Sequence, residues 1–163
     1  MDGIEDQNVK PRLHRLARLF VEHPVYFVTL CVDGRRRMLD NPAAHGAVEA
    51  FGKEGTTRGF HLGRYVLMPD HLHAFVAFGV PMMSTSMALS NWAKALKGCI
   101  SRTWRAFGFT NVRWQKGFFD HVLRSSESYS EKWNYVANNP VRAGLVAKSE
   151  GWPFQGEICR LEP

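Results

Sequence analysis

The chain has 163 residues, 45% of them hydrophobic, enough for one ordinary core and too few for two well-packed enzyme domains. Lys and Arg number 21 against 15 Asp and Glu, a net charge of +6, which suits an anionic partner such as nucleic acid without identifying one. The longest apolar stretches, residues 26–32 and 73–80, are strand-sized and far short of the roughly 20 residues that span a bilayer, so a membrane-spanning helix is ruled out.

Residues 1–8 are acidic and polar, without the basic cap, apolar run and cleavage site of a secretory signal, and a cytoplasmic protein is expected. Cys31, Cys99 and Cys159 are odd in number and far apart, with no CxxC pair. They read as reduced, packed thiols. Lys10, Arg12, Arg15 and Arg18 crowd one short stretch that holds no acid, with Leu13, Leu16 and Ala17 at helical spacing until Pro24. A basic N-terminal arm is expected over residues 1–24.

After Pro24 the string VYFVTLCV is apolar on both faces, the pattern of a central strand. Residues 41–53 open with Asn-Pro, a natural N-cap and first helical position, and set Ala44, Val48 and Phe51 on one face of a helix. Residues 60–68 and 71–78 are two apolar runs around Pro69-Asp70, a hairpin pattern. Over residues 84–107, Leu89, Trp92, Ala93, Leu96, Ile100, Trp104 and Phe107 keep the 3.6-residue period, with Lys94, Lys97, Arg102 and Arg105 mostly between them. A short aromatic segment, residues 112–123, precedes a helix over residues 126–138 that should stop before Pro140. The last 20 residues look irregular. This order of elements predicts an α+β protein, a ferredoxin-like βαββαβ sandwich whose antiparallel sheet carries both helices on one face and leaves the other free, plus a C-terminal helix.

His71 and His73 stand two apart at the start of a strand, so the pleat turns both imidazoles to one face with Cα atoms about 6.5 Å apart. That spacing suits chelation of one metal ion, and equally two polar residues near a strand end. Tyr135 and Asn139 are four apart at the end of the last helix and share a face, either as a joint site or as a half-buried aromatic and a helix-terminal amide.

The string YVLMPDHLHAFVAF, followed some way on by WNYVANNPVRAGLV, resembles the REP-associated tyrosine transposases, relatives of the insertion-sequence-200 single-tyrosine HUH transposases. RWQKGFFDHVLR, YFVTLCVDGRR and GWPF match as well, so the resemblance spans residues 10–155. It implies one HUH transposase domain over residues 25–163, with an irregular tail from about residue 141. It further implies His71 and His73 as metal ligands, Tyr135 as nucleophile and Asn139 as third ligand, where insertion-sequence relatives usually carry Gln. The cofactor would be a divalent metal, Mg²⁺ or Mn²⁺.

The implied reaction is cleavage and rejoining of single-stranded DNA at REP-like hairpins through a 5′-phosphotyrosine, with a flanking tetranucleotide read by basic N-terminal residues, here Lys10, Arg12 and Arg15. Lys94, Lys97, Arg102, Arg105 and Arg142 could follow a phosphate backbone. Of Trp114, Phe118, Phe119 and Trp133, at most one is expected to stack a base, and His121 is expected in the core. Residues beyond Pro140 favour a monomer over the homodimer of insertion-sequence relatives. Other readings are a non-catalytic hairpin-binding regulator on the same fold, a phosphodiesterase using water, and an RNA-recognition domain. The last lacks its basic-Gly-aromatic signature in HLHAFVAF.

Overall fold

The computed structural model describes residues 24–79 and 85–162. Among them lie β1 (Val25–Cys31), α1 (Pro42–Lys53), β2 (Phe60–Leu67), β3 (His71–Phe78), α2 (Thr85–Ala106), β4 (Phe119–Leu123), α3 (Ser126–Ala137), a one-turn α4 (Asn139–Arg142) and β5 (Gln155–Glu157). The strands form one antiparallel sheet in the order β4-β1-β3-β2-β5. Its first four strands have the expected ferredoxin-like arrangement. Asn41 caps α1 as anticipated, its Oδ1 accepting from the Ala44 amide at 2.9 Å, a contact worth about 1 kcal/mol.

The pleat of the sheet divides the side chains between two cores. Leu72, Ala74 and Val76 of β3 pack with Tyr26, Val28 and Leu30 of β1 beneath α1 and α2. Phe75 and Ala77 pack with Val25, Phe27 and Leu123 on the opposite face. In β2 the register shifts between Leu62 and Tyr65, so Leu62 and Tyr65 both enter the first core although three residues apart. A bulge of this kind inverts the alternation.

The second face is not free, contrary to the expectation from element order. Tyr129, Trp133 and Val136 of α3, at helical spacing, lie against Phe27, Phe75 and Leu123 and cover that part of the sheet. A capping box starts the helix, with the Ser128 amide donating to Ser125 Oγ and the Ser125 amide to Ser128 Oγ, each at 3.2 Å. Pro140 lies beyond the end of α3, which stops at Ala137 as expected. It sits in the first turn of α4, where its missing N–H would lack a partner anyway, and the Arg142 amide donates to the Asn138 carbonyl at 2.9 Å.

The tail expected to be irregular contributes β5, which extends β2 through the pairs Val66↔Gln155 and Arg64↔Glu157. A side chain at Gly156 would place its Cβ 2.7 Å from the Tyr65 hydroxyl, so only glycine lets this strand close on the sheet. Trp152 is buried, and its indole N–H donates to the Leu67 carbonyl at 2.9 Å. Trp152→Ala is therefore expected to lower unfolding stability by about 3–5 kcal/mol, read as a shifted urea midpoint. A change near zero would mean that the tail is not part of the core.

Candidate functional site

β3 begins directly after Pro69-Asp70, and His71 and His73 share the sheet face that α3 covers. Thr29, the hydroxyl residue inside apolar β1, is the cross-strand partner of His73, and its Oγ1 lies 2.8 Å from His73 Nδ1. Asp70 Oδ1 lies 2.6 Å from His71 Nδ1, and Arg35 Nε holds the other carboxylate oxygen at 2.7 Å. Both rings are engaged through Nδ1, which leaves both Nε2 atoms for a ligand. The two rings meet edge-on with centroids 4.7 Å apart, and Phe27 stacks on His73 at 5.2 Å. Arg35 holds φ +54 next to Gly34 at +63, a left-handed backbone that L residues other than glycine rarely adopt. The Asp70 ion pair helps to fix it there.

Burial pushes the His73 pKa down to about 3, and the charges of His71, Lys132, Arg142 and Arg35 act in the same direction. Burial lowers His71 as well, partly opposed by the Asp70 hydrogen bond and charge. Asp70 would be raised by its own burial, but the His71 hydrogen bond and the His71 and Arg35 charges outweigh this and hold its carboxyl below the usual range. Both imidazoles are thus neutral at pH 7, the form that ligates metals.

Because Tyr129, Trp133 and Val136 face the sheet, Lys132, Tyr135 and Asn139 fall together along one flank of α3 and its continuation. The Lys132 ammonium is 5.2 Å from the centroid of the Phe27 ring, which itself stacks on His73. Tyr135 is 62% exposed. The Arg142 guanidinium lies over its ring, 4.0 Å from the centroid, and also donates to Asn139 Oδ1.

Among the described residues no group of three or more His, Cys, Asp or Glu could hold a metal ion. Two neutral imidazoles need an amide or solvent to complete a coordination sphere, and Asn139 on the facing helix is of the right chemical type. Such a donor set fits an exchangeable, partly hydrated divalent cation and not a closed structural zinc.

The remaining candidates are dispersed. Lys94, Lys97, Arg102 and Arg105 belong to α2, across the sheet from the histidines. Lys97 donates to the Gln115 and Gly117 carbonyls at 3.0 and 2.6 Å, with its pKa lowered by burial, so it ties α2 to the loop ahead of β4. Lys94, Arg102 and Arg105 are exposed. Lys10, Arg12 and Arg15 lie outside the described residues.

His121 is exposed and not in the core as expected, because β4 is an edge strand and α3 leaves this part of it uncovered. Sequence reasoning missed Thr29, Asp70, Arg35 and Lys132. A hydroxyl inside an apolar strand and an acid directly before the first histidine were the available signals. A cleft of about 350 Å³ lined by Arg64, Trp133 and residues of β5 includes none of the histidines or Tyr135. Tyr135 stands exposed, while the two histidines are half-buried.

The family model described as Transposase IS200 like matches residues 21–139, a span that holds the histidine pair, Tyr135 and Asn139. The REP-associated tyrosine transposase of Escherichia coli (strain K12) is 26% identical over 137 residues, covering 84% of this chain and 78% of that protein. A solved REP-associated tyrosine transposase bound to a REP hairpin superposes with a TM-score of 0.62 at 24% identity, covering 85% of this chain and 79% of that one. A Deinococcus radiodurans crystal structure gives 0.51 at 21% identity, covering 74% and 94%. Both solved structures share its α+β fold. With most of its length inside the family match, and with the motif-bearing strand and helix both within it, the chain belongs to the IS200-like transposase family.

Proposed function

We propose that this transposase cleaves and rejoins single-stranded DNA at REP-like hairpins through a 5′-phosphotyrosine on Tyr135. The observation that carries this reading is the pair of histidines with free Nε2 atoms on the sheet face covered by α3, the helix that presents an exposed tyrosine stacked under Arg142. The E. coli relative named as a REP-associated tyrosine transposase, and the solved relative bound to a REP hairpin, support the choice of substrate.

A divalent cation, Mg²⁺ or Mn²⁺, held by His71, His73 and Asn139 would supply Lewis-acid polarisation of the scissile phosphate. Thr29 and Asp70 orient the two imidazoles, and Asp70 is itself held by Arg35. Arg142, stacked over the Tyr135 ring, holds it in place, and the phenol proton passes to water as the nucleophile forms. The phenolate oxygen then attacks phosphorus, a P–O(Tyr) bond forms, the P–O3′ bond breaks, and the departing 3′ oxygen takes a proton. The phosphotyrosine conserves the phosphodiester bond, so a second 3′ hydroxyl can reverse the step and join strands without ATP. The site is assigned to a monomer and not to the homodimer of insertion-sequence relatives. Lys10, Arg12 and Arg15 are assigned to reading the flanking tetranucleotide. Lys94, Arg102 and Arg105 remain candidates for the hairpin backbone, and the protein is assigned to the cytoplasm, where its DNA lies.

The test is incubation with single-stranded REP-like hairpin oligonucleotides and Mn²⁺, followed by denaturing electrophoresis and peptide mass mapping. A covalent 5′-linked adduct on Tyr135 with a free 3′ hydroxyl product is expected. Hairpin binding without adduct, across varied flanks and metals, would replace this reading with that of a non-catalytic regulator.

A further inference from the structure

Four large hydrophobic side chains stand exposed among the described residues: Phe107, Phe109, Phe119 and Tyr135. Phe107 and Phe109 lie at the far end of α2. Phe119, 62% exposed, is on the site's own face, because its cross-strand partner Thr29 is also the partner of His73. Phe119, Thr29 and His73 therefore form one row across β4, β1 and β3. At about 4.8 Å between strands, Phe119 sits about 10 Å from His73, Cα to Cα.

His121, also exposed, is paired with Phe27 in the next row on the same face, and the Lys132 ammonium hangs over Phe27. An apolar ring and an imidazole thus form a floor beside the Lys132 ammonium, which lies over the ring stacked on His73. The other aromatic candidates are taken. Trp114 stacks on Trp104 at 5.0 Å and donates its indole N–H to the Lys97 carbonyl, Phe118 packs against the first core, and Trp133 packs under Arg64.

We propose that Phe119 is a stacking platform for one unpaired base of the DNA strand flanking the scissile phosphate, with Lys132 against that strand's backbone. The occupant is single-stranded DNA because an exposed ring supplies a π-face that any base can use, while the Lys132 ammonium complements phosphate. The inference rests on the function proposed above and extends it to the path of the strand and to the residue that reads the base's position.

The experiment uses REP-like hairpin oligonucleotides carrying 2-aminopurine at one flanking position at a time, since stacking quenches this base. With the unaltered protein, quenching is expected at one position. Phe119→Ala should restore fluorescence there and weaken binding about 5- to 150-fold, while Phe119→Trp should keep both the quenching and the affinity. Thermal unfolding of Phe119→Ala should be unchanged, because the ring is exposed, so a loss of affinity would not reflect misfolding. Quenching that persists in Phe119→Ala, or affinity that does not change, would overturn the platform and leave the proposed function standing. Failure of the unaltered protein to bind any hairpin oligonucleotide would overturn the proposed function and the platform with it.

Discussion

Tyr135→Phe is expected to abolish the covalent adduct and to reduce strand cleavage on the order of 10⁴-fold or more, the scale on which loss of a nucleophile acts. The substitution removes one oxygen and keeps the ring, so the stacking contact with Arg142 at 4.0 Å survives. The side chain is exposed, and stability should change by less than about 0.5 kcal/mol. Hairpin affinity should stay within a few fold, since the ring and its contact with Arg142 are retained. Cleavage that continues undiminished in this variant would show that water is the nucleophile and that the histidines serve a hydrolase.

His73→Ala and His71→Ala should each abolish cleavage and weaken Mn²⁺ binding by more than about 100-fold, a larger loss than removal of a supporting residue produces. Calorimetry or the electron paramagnetic resonance of free Mn²⁺ reads the metal directly, without activity. His73 stacks on Phe27 at 5.2 Å, and its loss opens a gap beside the second core, so His73→Leu serves as the variant that fills the space without a donor atom. Asp70→Asn and Thr29→Val should act in a graded way, about 10- to 100-fold in metal affinity, because they orient the rings and do not ligate. Equal Mn²⁺ affinity across the set would remove the metal from these histidines.

Where the sequence carried a period, the structure followed it. The apolar runs of residues 25–31 and 71–78, the 3.6-residue repeat of α2 and the Asn-Pro start of α1 are local patterns, and each face of the two strands finds a core. The hydrogen bonds and burial that reward them are set within a few residues. Strand β5 has no such pattern. Gln155, Gly156 and Glu157 are polar or bare, and they become a strand because β2 offers an unpaired edge and Tyr65 leaves room only for glycine. Pro140 marked the end of α3 correctly, but not the separate one-turn helix that begins around it.

The transposase family resemblance was legible because two motifs, far apart in the chain, appear in the same order and are borne out by the family match across residues 21–139. Spacing alone determined that His71 and His73 would share a face and that Tyr135 and Asn139 would share another, since a strand repeats every two residues and a helix every 3.6. Which faces these would be, and that α3 would cover the histidines' side of the sheet and bring Lys132 over Phe27, only the tertiary structure decided. So too with Thr29 beneath His73, a contact 44 residues apart in sequence, and with Phe119, which alone of the four candidate aromatics was left in the open beside the site. Burial and long-range pairing depend on what the rest of the chain covers, and no local window of sequence contains that information.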